Sequence, residues 1–327
     1  MHHLLSRSWI FLIATCFAFF STISFVSAAD EYPIKGIRIV VPYGAGTGLD
    51  VLTRAMTLRL SEELKVNVFV ENLAGSNGII GTQSVARSNA DGYTLLATTQ
   101  SHYTSGMMYD NLPYDPGRFF PVARFGQAQL VIVASPQSNF SNIQGLVAQA
   151  KKNPNELSFA SLGSGSSAHM AGALFNSMAG TQLLHVPYKD ASQALTDVMR
   201  GEPSINFVAM PTAASQMKAG KLKAIAVTGI KRAGLLPDVP TVSESGVMGY
   251  EMGAWYALLA PEGTPNGVVQ KISTSVLKII RSPEFLAILE RMGMDPMPED
   301  TKEFTARLPA EIARWQKIVT LTKVKVD

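Results

Sequence analysis

Two glycine- and serine-rich turns, far apart in the chain, restrict its possible folds more than any other feature. The first reads Pro42-Tyr43-Gly44-Ala45-Gly46-Thr47-Gly48-Leu49-Asp50 and the second Ser161-Leu162-Gly163-Ser164-Gly165-Ser166-Ser167-Ala168-His169. Each follows an apolar run and opens a segment with apolar residues three or four apart, which marks a strand-to-helix junction. A helix start has N–H groups without intrahelical partners and carries the positive end of the macrodipole, which suits an anion. Two such junctions predict two α/β units that grip one small acid between them.

The rest of the chain follows the same alternation. Apolar runs at 37–42, 66–70, 94–98, 130–134, 157–160, 183–186, 205–208, 224–228 and 256–260 read as strands. Leu49, Leu52, Met56, Leu60 and Leu64 form a helical stripe behind the first turn, and Ala171, Leu174, Phe175 and Met178 form one behind the second. Alternating strands and helices predict right-handed crossovers and mostly parallel sheets flanked by helices, an α/β fold. The C-terminal third carries two helical stripes, one on Val268, Val269, Ile272, Val276 and Ile279, the other on Phe304, Leu308, Ile312, Trp315 and Val319. With no strand expected after them, these helices should cover the first lobe. Residues 30–128 and 254–327 are therefore expected to form one domain and 129–253 the other, with crossings near 125–130 and 250–255. Trp255 and Trp315 near these places read as core aromatics.

The N-terminus reads as an address. Arg7 precedes an uncharged apolar stretch from Trp9 to Phe25, and Ser27-Ala28-Ala29 supplies a cleavage site, so residues 1–29 form a secretory signal. The stretch is long enough to be a retained anchor, but its small-residue ending favours removal. The only cysteine, Cys16, lies inside this leader. A mature chain without it has no disulfide, thiolate nucleophile or thiolate metal ligand. The net charge of +3 comes from scattered basic residues without interleaved aromatics, which argues against nucleic acid.

Within the first turn, Thr47 and Asp50 have capping-box spacing, so Thr47 is the expected N-cap. Gly44, Gly46 and Gly48 would allow positive φ and close approach of a ligand. A plain tight turn with Asp50 capping its own helix is the simpler alternative. Gly44-x-Gly46, with Glu71 closing the second strand, also imitates a dinucleotide fingerprint, but Leu49 stands where the third glycine belongs. In the second turn Ser166 or Ser167 can cap, and His169 in the first helical turn is expected to be neutral because the dipole disfavours an imidazolium. Catalytic patterns are thin. Ser215-Gln216-Met217-Lys218 has serine–lysine spacing without its partner motifs. Ser166 with His169 lacks a third member. His102, His169 and His185 show no metal-site spacing. No cofactor or metal is expected.

The chain resembles a known family along its whole mature length. Pro42–Asp50, Val70-Glu71-Asn72, Asp91-Gly92-Tyr93-Thr94, Leu112-Pro113-Tyr114-Asp115-Pro116, His185-Val186-Pro187-Tyr188-Lys189, Leu236-Pro237-Asp238-Val239-Pro240 and Ala260-Pro261-Glu262-Gly263-Thr264-Pro265 are similar to successive signatures of the tripartite tricarboxylate transporter substrate-binding proteins, the Bug receptors. The resemblance implies a two-domain periplasmic-binding fold, type II-like, with the ligand cleft between domains. It implies a monomeric periplasmic receptor, not an enzyme, that hands a small carboxylate to the membrane subunits of a transporter. Relatives that present their ligand to a signalling receptor are the alternative partner class, and a serine hydrolase acting through Ser166 is the alternative activity. Expected ligand contacts are Tyr43, Gly44, Ala45, Gly46, Thr47 and Asp50 on the first turn. On the second they are Ser164, Gly165, Ser166, Ser167 and His169. No arginine stands beside either turn. Where many relatives carry Asp-Asn after the Phe207 strand, this chain has Val208-Ala209, which makes Ala209 a contact and leaves that end of the pocket apolar. A mono- or dicarboxylate with an apolar or aromatic body is the expected solute.

Overall fold

The computed structural model describes residues 32–322 apart from Ser164 and Lys189; the proposed leader, including Cys16, lies outside the described residues. Every apolar run named above overlaps a strand. In chain order the first half comprises β1 (Ile37–Val41), α1 (Gly48–Leu64), β2 (Val68–Asn72), α2 (Ile79–Ala86), β3 (Thr94–Thr99), α3 (Ser101–Met108) and β4 (Phe119–Ala134). Then follow α4 (Ile143–Lys152), β5 (Ser158–Ser161), α5 (Ser167–Ala179), β6 (Leu184–Pro187), α6 (Ala191–Arg200), β7 (Ile205–Ala209), α7 (Met210–Lys218) and β8 (Lys223–Val227). The chain ends with β9 (Gly253–Pro261), α8 (Asn266–Ile280), α9 (Pro283–Arg291), β10 (Met294–Glu299) and α10 (Thr301–Thr322).

The sheet order is β2-β1-β3-β9-β4-β7-β5-β6, with β8 and β10 also on β4. The long strand β4 carries both halves. Its residues up to Gln129 pair with β9, ending at Gln129↔Gly253, whereas Leu130 to Ala134 pair with β7 and β8. The expected parallel order holds on the outer strands, where β1 pairs with β2 and β3, and β5 with β6 and β7. It gives way wherever β4 or β9 takes part, since all their pairings are antiparallel. The sheets are therefore mixed. Both strands run between the two halves, and a strand entering from the other half need not follow the right-handed crossover that keeps neighbours parallel.

Three elements differ from the sequence expectation. The strand expected at 130–134 begins at Phe119, because Arg124, Gly126, Gln127 and Gln129 interrupt the apolar pattern although they lie in a strand. Strand β10 reads as loop because Pro296 and Pro298 punctuate it; proline is compatible with its short antiparallel pairing, which shifts register between Pro296 and Glu299. The last helix does not stay on the first lobe. Phe304 of α10 packs with Val40, Leu96 and Trp255, while Trp315, Ile318 and Val319 pack with Phe159, Phe175 and Tyr250 of the other half. One amphipathic helix thus ties both cores together, and Trp255 and Trp315 are buried in them.

The stripes of α1 and α8 bury as periodicity requires, whereas in the stripe behind the second turn Ala171, Leu174 and Phe175 are buried and Met178 is exposed. Leu49, Leu52, Met56 and Leu60 share one core with Val268, Val269, Ile272, Val276 and Ile279. At roughly 1.5–3 kcal/mol per fully buried large apolar side chain, this stripe holds α1 on its sheet and fixes where its N-terminus points.

Candidate ligand-binding site

The two turns fold alike. Gly46 has φ +83° and Gly165 φ +77°, the left-handed region that favours glycine. Of the first turn's glycines only Gly46 needs this conformation; Gly44 and Gly48 do not. Thr47 and Ser166 follow in near-identical extended geometry, φ −66° and ψ 157° for one and φ −66° and ψ 156° for the other. Each hydroxyl accepts from the amide three residues on, Asp50 at 3.4 Å and His169 at 3.3 Å. Each donates backwards to a glycine carbonyl, Gly44 at 3.0 Å and Gly163 at 2.7 Å. Caps of this kind satisfy the third helical amide and leave the first two without intrahelical partners, those of Gly48 and Leu49 and those of Ser167 and Ala168.

The glycine amides are already engaged. Gly46 N–H donates to Asp50 Oδ2 at 2.9 Å, and Gly165 N–H donates to His169 Nδ1 at 3.1 Å. Asp50 and His169 therefore do the same work, each bracing its own turn from four residues downstream. Asp50 also accepts from Asn72 Nδ2 at 2.9 Å and from Arg54 Nε at 3.0 Å. Burial pushes its carboxyl up, but the bonds from Gly46, Arg54 and Asn72 outweigh that and hold it below the usual carboxylate range. The sequence reading found no arginine beside the turn; Arg54, one helical turn later, reaches back to it.

His169 lies flat on His185, ring centroids 4.0 Å apart, with Phe159 stacked beyond. Burial, with the neighbouring His185, lowers the His169 imidazole to about 4, and burial also lowers His185. This lowering agrees with the expected neutral imidazole, with burial as its first cause. His185 Nε2 is 2.6 Å from Ser161 Oγ, which also accepts from Gly163 N–H at 3.0 Å. The stack thus supports the second turn from behind. The Ser166 hydroxyl bonds to the Gly163 carbonyl and the His169 amide, while His169 Nδ1 accepts from Gly165.

A cavity of about 430 Å³ opens between the two turns. Tyr43 and Thr47 line it from the first, and Gly165, Ser166, Ser167 and Ala168 from the second. Ala209 lines it together with Phe207, Val208, Leu130 and Met170, which makes that wall apolar. Gly44, Ala45 and Gly46 are exposed at the tip of the first turn and are not part of the lining; Asp50 and His169 sit behind the turns as braces. Ser164 lies outside the described residues. The sequence reading missed Thr99, Gln100 and Ser101, where β3 passes into α3, and Asn206 on β7, all of which line the cavity. Their only signal was position, a strand end beside a turn already singled out. Among the described residues, no cluster of metal-ligating side chains is found and no helix is long and apolar enough to cross a membrane.

The family model described as "tripartite tricarboxylate transporter family receptor" matches residues 52–323. The chain belongs to that family. It is 32% identical to Protein BugT of Bordetella pertussis over 91% of this chain and 93% of that protein. Among solved structures, this receptor-family chain is similar to Rpa4515 of R. palustris with adipate, at 29% identity and a TM-score of 0.79, covering 90% of this chain and 99% of the other. It is also similar to MatC from Rhodopseudomonas palustris with bound malate, at 26% identity and a TM-score of 0.74, covering 88% and 100%.

Proposed function

We propose that this protein is an exported, monomeric solute receptor that seats a small carboxylate between two lobes and delivers it to the membrane subunits of a tripartite tricarboxylate-type transporter. The observation that supports the reading is the cavity flanked by two equivalent capped helix starts, Thr47 and Ser166, whose first helical amides have no intrahelical partner. Two lobes, 30–128 with 254–327 and 129–253, account for the change of partners along β4 between Gln129 and Leu130. Ligand contacts are assigned to Tyr43, Thr47, Gly165, Ser166, Ser167 and Ala209. Gly44, Ala45 and Gly46 form the rim, and Asp50 and His169 act through the turns they brace. The adipate and malate held by its structural relatives support a carboxylate as the solute, and their family supports a periplasmic location.

Hydrogen bonds to a charged group contribute roughly 1.5–3 kcal/mol each. Three or four therefore supply about the 8 kcal/mol of micromolar binding after part is lost to ordering. A ligand that touches both lobes only when they are together shifts the population toward that state. No chemistry on the ligand is needed, and both hydroxyls at the turns are occupied as caps.

A thermal-shift screen of aliphatic, aromatic and amino acids tests the reading, because binding to the folded state raises the melting temperature. Stabilisation by carboxylic acids and not by their amides, reduced in Ser166→Ala, supports it. Turnover of an ester substrate abolished by the same substitution contradicts it.

A further inference from the structure

One polar side chain interrupts the apolar wall of the cavity. Asn206 lies inside β7, opposite Val133 of β4 on one side and Ala160 of β5 on the other, so its backbone is held from both edges. Strand partners share a face. Val133, Ala160 and Val208 pack with Ala194 of α6, whereas Ile205 and Phe207 point into the other core. Asn206 therefore faces α6, and Asn206, Val208 and Ala194 all line the cavity. The residue is 5% exposed. Among the described residues its carboxamide bonds to no other group, and neither polar atom is sealed off as Gln100 Oε1 is. The neighbouring Ser161 hydroxyl is already engaged by His185 and by Gly163 N–H.

A solute that fills the cavity displaces solvent from this amide, and must replace the lost bonds or leave a buried carboxamide unpaired. Hydrocarbon replaces nothing. A carboxylate or keto oxygen accepts from Nδ2, and a hydroxyl pairs with either end of the amide. An ammonium would find one acceptor and no carboxylate, since every described residue of the lining is uncharged. We infer that Asn206 is a specificity-determining residue that holds a second, oxygen-bearing end of the solute. The solute is then a carboxylate that is polar at both ends, not one with a wholly hydrocarbon body. This rests on the carboxylate-capture reading, with one acid group at the paired helix starts and the second oxygen at β7.

Isothermal titration with two sets of acids tests it. One set is adipate, 6-hydroxyhexanoate and hexanoate; the other is terephthalate, 4-hydroxybenzoate and 4-methylbenzoate. Each set keeps one carboxylate and varies the opposite end among carboxylate, hydroxyl and methyl. In at least one set an oxygen-bearing member should bind about tenfold more tightly than the methyl member. Asn206→Leu should bring that ratio to one or below, with the methyl member gaining affinity, which damage to the fold would not produce. Asn206→Asp keeps the shape and adds a charge, so it should weaken the dicarboxylate by a larger factor than the hydroxy acid. If the Leu variant does not melt cooperatively, the Asp variant decides alone. Equal or tighter binding of the methyl members in both sets overturns the subsite and leaves carboxylate capture standing. So does an oxygen preference that Asn206→Leu leaves unchanged, or an Asp variant that weakens both oxygen-bearing members alike. Binding of none of these acids by the cooperatively melting natural protein overturns the subsite and the capture reading together.

Discussion

Removing Asp50 separates a brace from a ligand contact. The side chain is 3% exposed and accepts from Gly46 N–H at 2.9 Å, Asn72 Nδ2 at 2.9 Å and Arg54 Nε at 3.0 Å. Arg54 is half exposed, so its ion pair adds little. The other two are bonds to a charged, buried acceptor, at about 1.5–3 kcal/mol each. Gly46 sits at an exposed turn where water can replace part of its bond, so Asp50→Ala should destabilise by roughly 2–4 kcal/mol. At about 2–4 °C per kcal/mol for a chain of this general size, the melting temperature should fall by about 5–10 °C. Asp50→Asn keeps an acceptor and should lose about half as much. The ligand arm is decisive. A carboxylate that faced a bound anion would repel it, so neutralising Asp50 would tighten binding; a brace behaves oppositely, and both variants should bind the best acid more weakly. Calorimetric melting and titration of the two variants measure this. An unchanged melting temperature together with tighter binding would refute the reasoning.

Other perturbations give equally definite outcomes. His169 and His185 are neutral in the native state with lowered pKa values, so the unfolded chain takes up protons first as pH falls. Stability is thus full above about 6.5 and declines toward 4, and melting across that range should flatten in His169→Gln. Ser166→Ala removes an N-cap and should lower stability by about 1 kcal/mol; since its hydroxyl is engaged by Gly163 and the His169 amide, it should weaken carboxylate binding by up to about tenfold through the loosened turn, and titration that finds affinity unchanged would make the residue a cap alone. Glu299→Ala leaves the 1%-exposed Arg124 guanidinium without its 3.3 Å partner and should destabilise by about 3–5 kcal/mol in urea unfolding. Gly172→Ala would place a Cβ within 2.3 Å of the Phe159 ring, which supports the histidine stack, and should lower the melting temperature through overpacking.

Local chemistry was legible in the sequence and assembled geometry was not. Thr47 announces itself as a cap because a hydroxyl just ahead of an apolar stripe has one obvious use, whereas of Ser166 and Ser167 only the fold selects Ser166. The α1 and α8 stripes bury as their spacing requires. Asp50 was legible as a polar group at a helix start, but its direction depends on Asn72 and Arg54, whose side chains meet only in the fold. His169 and His185 come together through the β5–β6 pairing, which sets Phe159 against His185, and nothing in their spacing marks that register. Gln100 and Ser101 carry no motif and enter the site because β3 ends beside the first turn. Prolines concealed β10, and the double allegiance of α10 is invisible to a stripe that is apolar from end to end.

A crystal structure of the protein with the tightest-binding acid of the titration tests the central claim most directly. The account predicts one carboxylate held by first-turn amides of both helices, Gly48 or Leu49 on one side and Ser167 or Ala168 on the other, directly or through one water. A carboxylate bound to one lobe alone, or seated away from Thr47 and Ser166, would contradict it.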